Sequence, residues 1–176
     1  MNRILEVAQD KLTPEQSQVF EQLVAGRGRI LGPYKIWIHS PRVAAGMEQI
    51  GTYLNKRGSL SPREVEIGIL IIARHWGADY VQTAHIREGK RVGLSDQIVD
   101  ALVKGTEPPL TDPHERGVYR FAAALTSGAK LADADFAAIE QAIGRDGIAE
   151  VLVLLGYYTS VGLGMKIHQV PIPQQP

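Results

Sequence analysis

Ser61-Pro62-Arg63-Glu64 opens the stretch that most constrains this chain. The serine hydroxyl can accept from the third helical amide, and the proline suits a first turn. The glutamate, three residues on, can reach back to the serine amide. Val65 to Ala73 follows and is apolar on nearly every side, with Glu66 the exception. A helix that is apolar all round belongs at the centre of a fold. Trp76-Gly77-Ala78 breaks it, and Asp79 is expected to cap a second helix with Gln82 at the reciprocal position. Gly93 is a good left-handed stop. The chain is therefore expected to fold around a helix hairpin over residues 61–93. A soluble hairpin does not need the carboxylate of Glu66 or the imidazole of His85 that this one carries.

The flanks read as helices too. Thr13-Pro14-Glu15-Gln16 is a second capping box, and Val19, Phe20, Leu23 and Val24 give one apolar face ending at Gly26-Arg27-Gly28. Ile30 to His39 is short and mixed, with Gly32-Pro33 as a turn. It passes for a strand, but no partner strand is evident. Ser40-Pro41 starts a helix whose apolar residues Val43, Met47, Ile50 and Leu54 keep helical spacing. Ser95 caps a short helix to Lys104, and Asp112-Pro113 starts another. Asp133 is expected to cap a third, carrying Phe136, Ile139 and Ile143. Gly144–Gly147 reads as a turn and Ile148–Lys166 as the last long helix; the tail from Val170 is proline-rich and cannot extend it. The expectation is an all-α bundle of about eight helices in a single domain over residues 1–176.

Charge and cysteine content narrow the function. Nineteen basic residues balance nineteen acidic ones, which argues against a nucleic-acid partner and against polybasic attachment to a membrane. The longest apolar segment, Ile148 to Met165, carries Glu150, two tyrosines, a threonine, a serine and three glycines. It is read as a buried helix rather than a membrane span. The N-terminus has no long apolar core of the signal-peptide kind, so the expected location is cytoplasmic. There is no cysteine, which removes thiol nucleophiles, thiolate metal sites and dithiol redox chemistry together.

Several motifs carry a family resemblance. They are Arg63-Glu64-Val65-Glu66, Ala73-Arg74-His75-Trp76-Gly77-Ala78, His85 and Gly93-Leu94-Ser95, with Gly32-Pro33 and Ser40-Pro41-Arg42 upstream and Gly156-Tyr157-Tyr158 near the end. Together they resemble the carboxymuconolactone decarboxylase family, which includes the AhpD-like alkylhydroperoxidases. The redox branch of that family pairs a glutamate with Cys-x-x-Cys and a histidine four residues later. Registered on Glu66 and His85, the cysteine positions fall on Ala78 and Val81. These share a helix face with His85. A dithiol peroxide cycle needs thiolate attack and disulfide resolution, and neither is possible without sulfur. The resemblance also implies a closed homo-oligomer, a trimer or hexamer, with sites near subunit contacts.

What remains is a Glu–His pair. Glu66 can hold the His85 imidazole in one tautomer, an arrangement suited to general acid/base work. Arg74 is a candidate clamp for a substrate carboxylate, or simply a helix-end cation. Trp76 and Tyr80 can frame a flat ring, with Ala78 and Val81 as an apolar wall; His75 and His39 are further candidates for the pocket. His114 is expected to be exposed in a first helical turn. No local histidine pair supports a metal site from Glu66, His75 and His85. The leading expectation is cofactor-free proton transfer on a small unsaturated carboxylate or lactone, with His85 and Glu66 as catalytic groups. Decarboxylation, isomerisation and hydration stay open. The alternative is a non-catalytic ligand-binding or oligomeric scaffold of the same fold.

Overall fold

The structure is a computed structural model and describes residues 2–28, 30 and 32–172. Among these there are eight α-helices and no strand. They are α1 (Pro14–Arg27), α2 (Gly32–Trp37), α3 (Pro41–Lys56), α4 (Pro62–Trp76), α5 (Asp79–Arg91), α6 (Asp96–Lys104), α7 (Pro113–Ser127) and α8 (Asp133–Ile167), preceded by a single 3-10 turn at Gln9–Lys11. Pro173–Pro176, the end of the proline-rich tail, lies outside the described residues.

The capping chemistry legible in the sequence is largely present. Both boxes close reciprocally, Thr13 with Gln16 and Ser61 with Glu64. Ser95 caps α6 and Asp112 caps α7. Two aspartates fall one residue late: Ala78 and Ala132 are the N-caps of α5 and α8, so Asp79 and Asp133 sit in the first turn. There their charge still favours the positive end of the helix.

The segment over residues 32–37 is a helix rather than a strand. It buries Tyr34 and Trp37, three residues apart and therefore on one side of the helix, edge-on to each other at 5.1 Å. A six-residue helix has too little intrinsic stability to announce itself, so packing decides it. The expected turn at Gly144–Gly147 is a single kink at Gly144 (φ 68°, ψ 175°), backbone that is essentially reserved for glycine. The helix continues on both sides.

α4 is the hub, packed on α5, α7 and α8. Ile67, Ile69, Leu70 and Ile71 are at most 1% exposed. α8 crosses α4 so closely at Gly68 that a Cβ there would stand 2.6 Å from Leu154 Cδ2. α8 is long and apolar enough, by length and composition alone, to cross a membrane, yet half of its most apolar window is buried inside the fold. Its one deeply buried acid, Glu150, accepts from the Tyr53 hydroxyl (2.7 Å), the Ser59 amide and hydroxyl, and the Leu60 amide. That carboxylate fastens the loop between α3 and α4 to α8.

Candidate functional site

Glu66 lies one turn into α4, and 97% of its surface is buried. His85 lies midway along α5 with 20% of its side chain exposed. Helices α4 and α5 are joined at Gly77, whose left-handed backbone (φ 56°, ψ 46°) turns the chain back on itself. The turn is steadied by Lys166 of α8, whose ammonium donates to the Trp76 carbonyl at 2.8 Å. Antiparallel packing then brings the two side chains together: His85 Nδ1 stands 2.8 Å from Glu66 Oε2. With Nδ1–H donating to the carboxylate, the neutral ring presents Nε2 as its acceptor. A buried carboxylate needs such a partner.

The imidazole rests edge-on against Tyr158 of α8 at 5.1 Å between centroids. Tyr158 continues into Tyr157, and Tyr157 into Trp37. The Tyr157 hydroxyl shares a 3.1 Å hydrogen bond with that of Tyr34. This aromatic wall fixes the ring plane of His85 from behind. In the sequence Tyr158 figures only as part of a family-like tripeptide; nothing local ties it to a histidine 73 residues away.

Ala78 and Val81 are 3% and 2% exposed. They form apolar packing at the start of α5, and Ala78 lies so near α8 that a Cβ at Gly162 would stand 2.9 Å from its own. Tyr80 is half-buried near Gly32 and Met165. Trp76 is also half-buried and donates its indole N–H to Thr159 at 3.0 Å.

None of the expected binding residues has a described contact with the pair, and three are held elsewhere. Arg74 is two turns beyond Glu66, about 12 Å further along α4, and its exposed guanidinium lies over Gly105 at the end of α6. The helix-end reading of Arg74 is the one its position fits. His75 is exposed and stacks edge-on with Trp76 at 4.7 Å. His39 binds the Leu5 carbonyl through Nε2 at 2.8 Å, in the turn before α3. No group of three potential metal-ligating side chains occurs among the described residues.

His114 lies in the first turn of α7, as expected, with 39% of its side chain exposed, but it has a buried partner. Its Nδ1 pairs closely with Glu64 Oε1, and the Glu64 side chain is 6% exposed. Beside it Arg63 grips Glu115 through two nitrogens, Nη2 at 3.1 Å. The start of α4 is thus clipped to the start of α7. These contacts join residues some 50 positions apart, beyond the reach of local pattern.

Glu66 also reaches a cleft of about 300 Å³, at the small end for ligand sites. Its walls include Leu54, Leu60, Val65 and Val92, and its rim Lys56, Arg57, Glu88 and Arg91. A roomier opening, about 610 Å³, lies instead between α7 and the first part of α8. It holds Arg116, Tyr119 and Arg120 but no histidine.

Residues 41–124, from the start of α3 to near the end of α7, match the model of the carboxymuconolactone decarboxylase family. Over that span the chain is similar to this family. The match contains both members of the Glu66–His85 pair. Solved structures extend the likeness to the whole fold. An uncharacterized peroxidase-related protein from Silicibacter sp. TM1040 superposes with a TM-score of 0.75 at 18% identity, covering 98% of this chain and 92% of the other. A peroxidase-related protein from Ralstonia eutropha JMP134, described as an alkylhydroperoxidase AhpD core, gives 0.75 at 15% identity over the same shares. The debrominase Bmp8, as a cysteine-to-alanine variant in complex with 2,3,4-tribromopyrrole, gives 0.73 at 14% identity, covering 97% and 91%. At these identities the likeness is one of fold. No curated protein matches the chain.

Proposed function

We propose that this chain is a cofactor-free acid/base enzyme acting on a small unsaturated carboxylate or lactone. The observation that carries the reading is the 2.8 Å contact between His85 Nδ1 and Glu66 Oε2, with the carboxylate buried and the imidazole edge still open. Such a pair holds one tautomer and offers Nε2 to a substrate, either to take a proton or to give one. For a decarboxylation, the bond from the ring or chain carbon to CO₂ breaks and its electron pair enters the adjacent unsaturated system as an enolate. His85, protonated at Nε2, then delivers the proton to carbon and is reprotonated from solvent. Isomerisation uses the same two protonation states in the opposite order.

Peroxide reduction through a dithiol does not fit a chain with no cysteine. The debrominase relative was studied as a cysteine variant, and this chain has no counterpart to such a residue.

The test is turnover across a panel of unsaturated acids and lactones. His85→Ala is expected to lower kcat by about 10²- to 10⁴-fold, the usual worth of a general acid/base, with helicity unchanged. Unaltered turnover in that variant overturns the assignment. Saturable binding without turnover in the unmodified protein moves the chain to the ligand-binding reading.

We also propose a homo-oligomeric state. Leu152, Val153, Leu163 and Ile167 of α8, and Val43, Ile50 and Tyr53 of α3, are large apolar side chains at least 37% exposed. Self-association would cover them.

A further inference from the structure

The cleft beside Glu66 carries an unbalanced charge, and that imbalance says which end of a ligand it takes. Five charged side chains line it, Lys56, Arg57, Glu66, Glu88 and Arg91, and three of them have partners. Arg91 is held by Glu88, its Nε 2.8 Å from Glu88 Oε2, with a second, closer contact through Nη2. Glu66 is held by His85. Lys56 and Arg57 remain; both are exposed, and neither has an ion-pair partner among the described residues. They sit at the end of α3, where the cleft meets the α3–α4 loop.

We infer that Lys56 and Arg57 form the anion-binding end of this cleft and set its preference for small carboxylates, the role expected of Arg74. The inference rests on the reading of Glu66–His85 as the reacting pair, which this cleft meets at Glu66, His85 not being among its lining residues, and adds where the substrate's charge goes. A carboxylate is repelled by Glu66 and attracted by the two free cations. It therefore lies at the α3–α4 end, with its apolar body along Leu60 and Val65 pointing toward Glu66. Arginine can take a carboxylate through two parallel hydrogen bonds, and lysine adds a point charge. The loop is a firm support for them. A Cβ at Gly58 would stand 2.9 Å from Glu150 Oε2, and the next two amides donate to that carboxylate. The cations thus flank a segment fixed to α8.

The test uses matched probes, sorbate and 2-furoate against their methyl esters, titrated calorimetrically into the whole chain. The unmodified protein is expected to bind the acids at least about tenfold tighter than the esters, the preference weakening with added salt. The double variant K56Q/R57Q is expected to bring acid and ester to within about twofold, while Arg74→Gln keeps the full preference. Equal binding of acid and ester by the unmodified protein overturns the inference. So does a preference that survives in K56Q/R57Q or vanishes in Arg74→Gln, or a failure of every probe to bind at about 10 mM, far weaker than a working site. Failure of the parent reading looks different: the acid preference depends on Lys56 and Arg57, but no substrate turns over in a His85-dependent way.

Discussion

At the scale of single residues, the separation between Glu66 and His85 carries most of the meaning. Glu66→Gln keeps an oxygen that can accept from Nδ1–H and removes only the charge. It is expected to leave binding of the small acids largely intact and to lower kcat by about 10²-fold, the low end of acid/base contributions. Steady-state kinetics with kcat and KM resolved separately check this; a loss confined to KM would show that Glu66 serves binding instead. The pair was legible in the sequence because a carboxylate alone in an apolar helix and a histidine in the next helix are both out of place. Of the two readings of Arg74, carboxylate clamp and helix-end cation, its position fits the second, for a reason the sequence also contains. Eight residues after Glu66 it has moved about 12 Å along the axis, too far to share a small cleft. Lys56 and Arg57 gave no local signal, since a cation at the end of a helix is ordinary.

Among the elements, α8 and the α3–α4 loop are joined by one buried acid. Burial by itself pushes the Glu150 carboxyl up, but the Tyr53 hydroxyl and the Ser59 and Leu60 amides outweigh it and hold the carboxyl below its ordinary range. A folded-state value below the unfolded one adds stability at pH above the unfolded carboxylate value of about 4.3. That increment is lost as pH falls through the folded value. Glu150→Gln is therefore expected to cost roughly 1.5–3 kcal/mol at pH 7, the scale of a hydrogen bond to a charged group. Urea unfolding at pH 7 and at successively lower pH should show the gap to the unmodified protein narrowing on the acid side. A gap constant with pH would mean that packing, not ionisation, sets the cost. The helices themselves were readable where caps are local, as at Thr13 and Ser61. They were less so at α2, where six residues hold a helix only because Tyr34 and Trp37 are buried.

For the whole molecule, the prominent property is the set of large apolar side chains left exposed on α3 and α8. Sedimentation at micromolar concentration is expected to give a multiple of the 19.2 kDa chain mass. Placing Asp at both Leu152 and Leu163 should shift it toward the monomer with helicity retained. A monomeric unmodified protein would count against assembly. The fold class was open to sequence reading because periodicity and caps report helices directly. Which helix faces stay exposed depends on how eight elements settle against one another, and no single segment encodes that.

The start of α4 has a further consequence. Glu64 and Glu66 lie two residues apart, about 200° around the axis, and each is bound to a histidine on a different helix, His114 on α7 and His85 on α5. The helix is pinned on two sides and cannot roll without breaking one pair. Glu66 and His85, the groups proposed to react, are thus held in place by the scaffold before any ligand arrives. Little of a ligand's binding energy then goes into ordering them, and more remains for what changes as bonds break.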